Sequence, residues 1–477
     1  MSTPRILLIF AAGLVLIASI TGNAGCANII PPAGGPRDSV APLLVKATPL
    51  DSTRNFQGTR ITFTFDEYVD LQNVQQELLI SPIPHISPVV DYRLNTVTVR
   101  IKDSIEANTT YTYDFGNAIK DINEGNVLKN FKYTFSTGPY LDSLEFRGNV
   151  ILAETGRVDT SLIVMLHSDP KDSAVVLSKP RYVTKLDSKG NFTFRNLPPR
   201  TYYVYALKDD NNTHRYFDDK TLFAFADSAV VISPSTRNVT LYAYANPAAK
   251  PTTPGSANPT QPALNRARGA IQSDRRLKFL TNLMSGQQDL LGNFIMTFDQ
   301  PLRAFDSTKV SLRMDTLFTP VTGYRIIKDS TNRHLVLTNT WKENTIYHLI
   351  LDKDFAEDSA GKKLLKSDTL TFTTKKLSDY GKLKLKFRNL DMAKNPVLQF
   401  VLNATITQSI PLASPDLSVP VFFPGEYELR ILYDDNRNGK WDPGVFFRQH
   451  KQPELVKPID RKVIIRPNWD NEFEIAL

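Results

Sequence analysis

The sequence predicts an all-β chain of tandem β-sandwiches arranged as two repeated pairs. Three observations lead there. Short runs alternate apolar with polar residues, as in Ile61-Thr-Phe63-Thr-Phe65 and Val97-Thr-Val99-Arg-Ile101, which is the period of a half-buried strand. Thirty-one prolines and abundant aromatic residues suit strands broken by many turns. The pattern before residue 246 returns, in order, after residue 275.

The dividing stretch runs from Asn246 to Gln261 and Pro262, with Pro247, Pro251, Pro254, Pro259 and Pro262 set among Ala, Thr, Ser and Asn. Proline fixes φ and removes a backbone donor, so such a run has nothing to build a core from and is expected to be extended. At about 3.1 Å per residue it is expected to act as a spacer of up to about 50 Å between two bodies. The 477 residues, 41% hydrophobic and 22% charged, have room for three or four ordinary globular domains. The net charge of +8 is dispersed, without a concentrated Lys/Arg block. That is the pattern of a solvated surface and argues against a nucleic-acid partner.

The chain opens with Arg5, an apolar run from Ile6 to Ile20, and the small residues Gly22, Ala24 and Gly25 before Cys26. The apolar run is shorter than the roughly 20 residues that span a bilayer. A basic start, a short apolar centre and small residues at its end make a secretory signal. Cys26 is the single cysteine of the chain, so no intramolecular disulfide and no cysteine zinc site is expected. An exported chain whose one thiol closes its signal is most simply explained by lipidation, with an uncleaved anchor as the other reading. Ala24-Gly25-Cys26 resembles a bacterial lipoprotein signal, and the resemblance implies acylation of Cys26 and cleavage before it. The opening after Cys26, Pro31-Pro32-Ala-Gly34-Gly35-Pro36-Arg-Asp38, resembles that of lipoproteins from the Bacteroidota group. Residues 1–25 are thus read as signal and 26–39 as a flexible tether, with the protein lipid-anchored to the cell envelope and the outer membrane as the expected location.

Residues 40–140 continue with Tyr111-Thr-Tyr113-Asp-Phe115 and Tyr133-Thr-Phe135-Ser, separated by turn residues such as Asp121 to Gly125. Residues 276–376 repeat this unit. Thr64-Phe65-Asp66-Glu67 is echoed by Thr297-Phe298-Asp299-Gln300, and Asn108-Thr-Thr-Tyr111 by Asn344-Thr-Ile-Tyr347. Asp121 and Gly125 return as Asp358 and Gly361, and Thr134-Phe-Ser-Thr137 as Thr371-Phe-Thr-Thr374. The unit resembles the bacterial Ig-like domain of surface-layer-type proteins, which implies a spacer or adhesive module without an active site.

A second kind of module follows each copy. Residues 141–245 hold Gly190-Asn-Phe192 and then Leu197-Pro198-Pro199-Arg-Thr-Tyr202. Residues 377–477 hold Leu383-Lys-Leu385-Lys-Phe387 and Phe423-Pro424-Gly425-Glu-Tyr427. Strand, Pro/Gly turn and aromatic strand resemble the transthyretin-like or carboxypeptidase-regulatory-like fold, and the residues between, 246–275, form the linker. Lys382, Lys384 and Lys386 lie on one face of a strand, where they are expected to discourage edge-to-edge pairing.

One motif has metal-ligand spacing. Asp434, Asn436 and Asn438 alternate, Gly439 follows, and Asp442 stands at the ninth position. Calcium takes six to eight oxygens, and alternate positions of a tight loop turn them inward. Val445 occupies the twelfth position, where a calcium loop carries a bidentate Glu. The same residues also make Asx turns without any ion. The first copy, Asp209-Asp210-Asn211-Asn212 to Asp218, has no glycine. Structural turn and calcium site both stay open. The six histidines show no metal-ligand spacing, and no nucleophile elbow, phosphate loop or His-Glu-x-x-His is present.

These readings describe a non-catalytic, lipid-anchored envelope protein acting as a binding, adhesive or spacer module, with a membrane, an envelope protein or a glycan as partner. A glycan-binding lipoprotein is the alternative, using Tyr202, Tyr203, Tyr205, Tyr216 and Trp441, with Tyr203 and Trp441 on one platform. A hydrolase with its site between domains is the third reading.

Overall fold

A computed structural model of the chain describes residues 37–246 and 276–477. The signal, Cys26, most of the tether and the proline-rich stretch from Pro247 onward therefore lie outside the described residues. The chain divides after Asp142 into two compact units, and its architecture is tandem β-sandwiches throughout.

In the first unit, four strands pair in the order Leu44–Thr48, Arg60–Phe65, Thr96–Arg100, Val89–Arg93. Opposite them stand Lys132–Ser136, Thr110–Asp114 and Leu79–Ser81. Alternation along each strand sends Ile61, Phe63, Phe65, Val97, Val99, Tyr113, Tyr133 and Phe135 into one core. Each large side chain buried there contributes about 2 kcal/mol relative to exposure.

The second unit contains the same sandwich again. Phe279–Thr281, Phe294–Phe298, His334–Thr338 and Arg325–Lys328 keep the order of the first sheet. Asp368–Thr374, Ile346–Leu351 and Val310–Met314 keep that of the second. The repeated sequence motifs now have causes. Thr137 Oγ1 accepts from Thr109 N at 3.0 Å and donates to Glu106 O at 2.6 Å. Thr374 Oγ1 accepts from Thr345 N at 2.9 Å and donates to Lys342 O at 2.5 Å. Tyr111 and Tyr347 accept the matching N–H groups of Glu106 and Lys342 through their hydroxyls. The closing threonine and the Asn-Thr-x-Tyr strand are therefore two ends of one lock. Asp121 is buried and takes the N–H groups of Glu124, Gly125 and Asn126. Burial opposes its charge, but these donors outweigh burial and hold the carboxyl below its ordinary range. Asp358 likewise closes its turn by accepting from Ala360 N and Lys362 N.

The other two sandwiches also share one topology. In residues 143–246, Asn191–Leu197, Leu144–Leu152 and Val239–Ala243 form a sheet whose last pair is parallel. The facing sheet runs Tyr182–Lys185, Leu162–His167, Thr201–Lys208, Phe223–Phe225. Near the C-terminus, Asp416–Phe422, Gly381–Arg388 and Asp470–Ala476 repeat the first sheet, parallel pair included. Thr405–Pro411, Pro396–Leu402, Gly425–Tyr433 and Leu455–Ile465 repeat the second.

Two expectations change. The lysine-bearing strand Gly381–Arg388 is central in its sheet and not at an edge. Its lysines lie across from the acidic strand beside it, with Lys382 3.1 Å from Asp470 and Lys384 2.6 Å from Glu472. They balance a charged neighbour, a role that alternation along one strand does not show. Within the second unit, the sandwich ending at Asn246 and the C-terminal sandwich are not separate bodies but pack directly on each other.

The threonine lock makes a specific prediction. Thr374→Val strips partners from a buried N–H and C=O, and is expected to destabilise the sandwich by about 2 kcal/mol. Thr374→Ser, which keeps the hydroxyl, is expected to recover most of this in urea unfolding.

Candidate functional site: the junction of the two repeated sandwiches

The junction is built from the outer face of one sheet and a loop of its repeat. On Thr201–Lys208, alternation puts Tyr202, Val204 and Ala206 in the sandwich core and turns Tyr205 and Leu207 outward. Outward residues of a two-layer sandwich normally face water, yet Met165, His167, Tyr205, Leu207, Phe223 and Phe225 are all buried. Part of the cover is local, with Tyr216 stacked 4.2 Å from Phe223, and part comes from the loop between Gly425–Tyr433 and Leu455–Ile465. Its Phe446 ring centroid lies 5.5 Å from that of Tyr205, 5.2 Å from Phe223 and 5.1 Å from Phe225.

Polar contacts surround this insertion. His450 Nε2 lies 2.8 Å from Asp172 Oδ1, and Gln452 Nε2 donates to Phe225 O at 3.0 Å and Asp227 Oδ1 at 2.7 Å. Docking is reciprocal, because the turn at Ala153–Arg157 of the first copy reaches the sheet of the second. Val456 N donates to Ala153 O at 2.9 Å, and Arg157 pairs with Glu428 at 2.5 Å. Two glycines permit the approach. A Cβ on Gly156, whose φ is +66°, would stand 2.1 Å from Pro458 Cδ, and one on Gly444 would stand 2.7 Å from the Tyr244 ring.

The Asp434 loop precedes Phe446 in the chain. Asp434, 1% exposed, accepts from Asn438 N at 3.2 Å and Gly439 N at 2.6 Å. Asn436 Oδ1 accepts from Asn438 N, and Asn438 Oδ1 from Lys440 N. The side-chain amides of Asn436 and Asn438 both donate to Asp442. The four residues chosen by spacing are thus brought together. A fifth, Glu454, joins them from the next strand's approach. It is 3% exposed, and its two oxygens take Asp435 N at 2.9 Å and Asp442 N at 3.0 Å. Burial pushes the Glu454 carboxyl up, with the Asp434 and Asp442 charges adding to it against those two hydrogen bonds. Spacing alone did not find Glu454, which is twelve positions beyond Asp442. Among the described residues, no group of three or more His, Cys, Asp or Glu side chains is placed to hold a metal ion. In the first copy Asp209 closes the same turn by accepting from Thr213 N and His214 N, and the His214 ring packs 2.6 Å from its carboxylate.

The proposed aromatic platform is not assembled. Tyr202, Tyr205 and Tyr216 are buried. Trp441 is half-buried against Val397, Leu432 and Val456, and its indole donates to Glu454 O at 2.7 Å. Tyr203 lines a different hollow, beside Asp172 and Phe446. The exposed aromatics of this region are Phe217 and Phe447. Both belong to an aromatic doublet that follows the Asp/Asn loop, Tyr216-Phe217 in one copy and Phe446-Phe447 in the other. That recurrence was the available signal.

Residues 38–137 match the bacterial Ig-like domain family. The match covers the first sandwich and well under half of the chain. No curated protein matches the chain. Among solved structures it is similar to an α-2-macroglobulin fragment from Escherichia coli, at 10% identity and TM-score 0.19, over 38% of this chain and 70% of that one. It is also similar to BcpA, the major pilin subunit of Bacillus cereus, at 8% identity and TM-score 0.17, over 70% and 98%. The S-layer protein SbsC gives 10% identity and TM-score 0.16, over 90% and 68%.

Two predictions follow from the junction's geometry. Phe446→Ala removes the inserted ring at an expected cost of about 3–5 kcal/mol, and the C-terminal sandwich should become a separate fragment in limited proteolysis. His167, 2% exposed, stays neutral because burial lowers its pKa to about 4. Its folded value lies below the ordinary 6.5, so this stabilisation is complete above pH 6.5 and is lost as the pH falls toward 4. The loss reaches about 3 kcal/mol. His167→Phe should flatten that part of the pH profile of the urea midpoint.

Proposed function

We propose that this protein is a non-catalytic, cell-surface binding module in which Ig-like sandwiches act as spacers and the docked pair of second sandwiches presents the binding surface. The observation that carries the reading is the junction itself. Duplication has produced one aromatic-sealed body from two copies, with Phe217 and Phe447 left exposed at its rim. Large exposed apolar groups clustered at one place mark interaction sites, and rigid sandwiches commonly carry such sites on loops. The bacterial Ig-like match of residues 38–137 supports a spacer role by family analogy.

Anchoring at the envelope by lipid on Cys26, with the outer membrane as location, belongs to the same proposal and rests on the Ala24-Gly25-Cys26 ending of the leader. Metabolic labelling with a fatty-acid analogue tests it. Label and membrane association are expected in the wild type, and both should vanish in Cys26→Ala. Membrane association that persists without label means an uncleaved anchor.

The Asp434 loop supports a calcium reading through its donor chemistry. Asp434, Asn436, Asn438 and Asp442 carry hard oxygen donors, and Glu454 brings a third carboxylate whose oxygens accept from Asp435 N and Asp442 N. Titration of the chelator-treated protein with calcium, followed by calorimetry, is expected to show binding that Asp434→Ala and Glu454→Gln each abolish. Heat-free titration and an unchanged Tm would reduce the loop to a structural turn.

A further inference from the structure

Beside the inserted Phe446, the two copies enclose a second space. It is a cleft of about 460 Å³ lined by Tyr216, Phe217, Asp218, Asp219, Tyr244 and Asn246 of one copy and by Gly444 to Phe447 of the other. Its size is that of a small-ligand site. Neither copy makes it alone.

The lining combines two chemistries. Phe217 is 65% exposed and Phe447 43%, so both rings offer free apolar surface. The Tyr216 and Phe447 rings are stacked, 6.1 Å apart and 20° from parallel, and Tyr216 is fixed from behind by Phe223 at 4.2 Å. The other wall is polar. Asn246 Nδ2 donates to Asp219 Oδ2 at 2.8 Å, which with neighbouring donors holds the Asp219 carboxyl below its ordinary range. Asp218 lies next to it, with one oxygen on Lys220 N at 3.0 Å.

Part of the main chain around the cleft is paired within the protein. Val445 and Lys451 exchange both backbone bonds, at 2.8 and 2.9 Å, as do Phe223 and Tyr244, and Asn246 N donates to Asp219 O. Those pairs leave the Val445 and Tyr244 segments no free edge for an added strand, and the side chains are what the cleft offers a ligand. A ligand suited to these walls has a flat C–H face for the rings and several O–H donors for fixed acceptors. A pyranose has both. The two carboxylates repel uronic and sialic acids and attract an amino group.

We propose that this cleft binds a neutral or amino-bearing oligosaccharide, an inference that rests on the reading of the docked pair as a ligand-presenting body. The test uses the full chain with cellohexaose, laminarihexaose and a glucosamine hexamer as probes. Heparin and polygalacturonate serve as anionic controls, and a Pro-Thr-Thr-Pro peptide as a competitor class. At least one of the three hexamers is expected to bind, and Phe217→Ala with Phe447→Ala should weaken it tenfold or more. The limited-proteolysis pattern should stay that of the wild type, and any fall in Tm should be small, because Phe217 is exposed and Phe447 loses only its contacts with Tyr216 and Phe446. Asp218→Asn with Asp219→Asn should weaken the amino sugar more than the neutral ones. The proposal is overturned if no hexamer binds, if the double phenylalanine variant binds as well as the wild type, or if the anionic polymers or the peptide alone bind. The proteolysis pattern of Phe446→Ala reads docking independently. Failure of the cleft to bind sugar in a docked protein is therefore distinguishable from failure of the docked body itself.

Discussion

The architecture of the second unit depends on the burial of Phe446 against the outward face of a sheet in another copy of its own fold. A two-layer sandwich has one inner face per sheet, and its outer faces ordinarily carry polar residues. Here the outer face of Leu162–His167, Thr201–Lys208 and Phe223–Phe225 is apolar and aromatic, and would be a large exposed patch without its cover. Phe446 covers Tyr205, Phe223 and Phe225 on it, and Gly444 makes room by lacking a side chain where the Tyr244 ring passes. His167 lies on the same face and stays uncharged because burial disfavours its charged form.

Duplication gave each copy the same strand order and then allowed their loops to diverge. In one copy an acidic turn is closed by Asp209 with an imidazole packed on it. In the other, Asp434, Asp442 and Glu454 gather without a Lys or Arg ion pair among the described residues. The aromatic doublets after these loops also took different roles. Phe446 became the wedge of the junction, whereas Phe217 and Phe447 stayed exposed beside a polar wall. The cleft beside Phe446 is lined by both copies, so neither sandwich forms it alone.

Much of this was legible from residues alone. Period-2 alternation located the strands because an Ile61-Thr-Phe63-Thr-Phe65 run has one stable way to bury its large side chains. The repeated Asp and Thr positions stood out because each performs a hydrogen-bonding task that few other residues perform: Asp121 and Asp358 close turns, and Thr137 and Thr374 lock strand ends. The spacing of Asp434 to Asp442 also predicted a compact oxygen-lined loop, since those positions are adjacent along the chain.

What the sequence by itself determined was therefore local: strand period, turn chemistry, the order of the modules and their duplication. The tertiary structure decided which exposed-looking residues are buried. Tyr205 and Tyr216 read as platform aromatics, but they became seals because a loop more than two hundred residues away covers them. Glu454 joined the aspartate loop, and Lys382 and Lys384 met an acidic neighbour strand, through pairings that leave no periodic trace. Local propensity acts over a few residues and is written in their order. Docking between two copies depends on shape and burial between distant segments, and those are set only when the chain is folded.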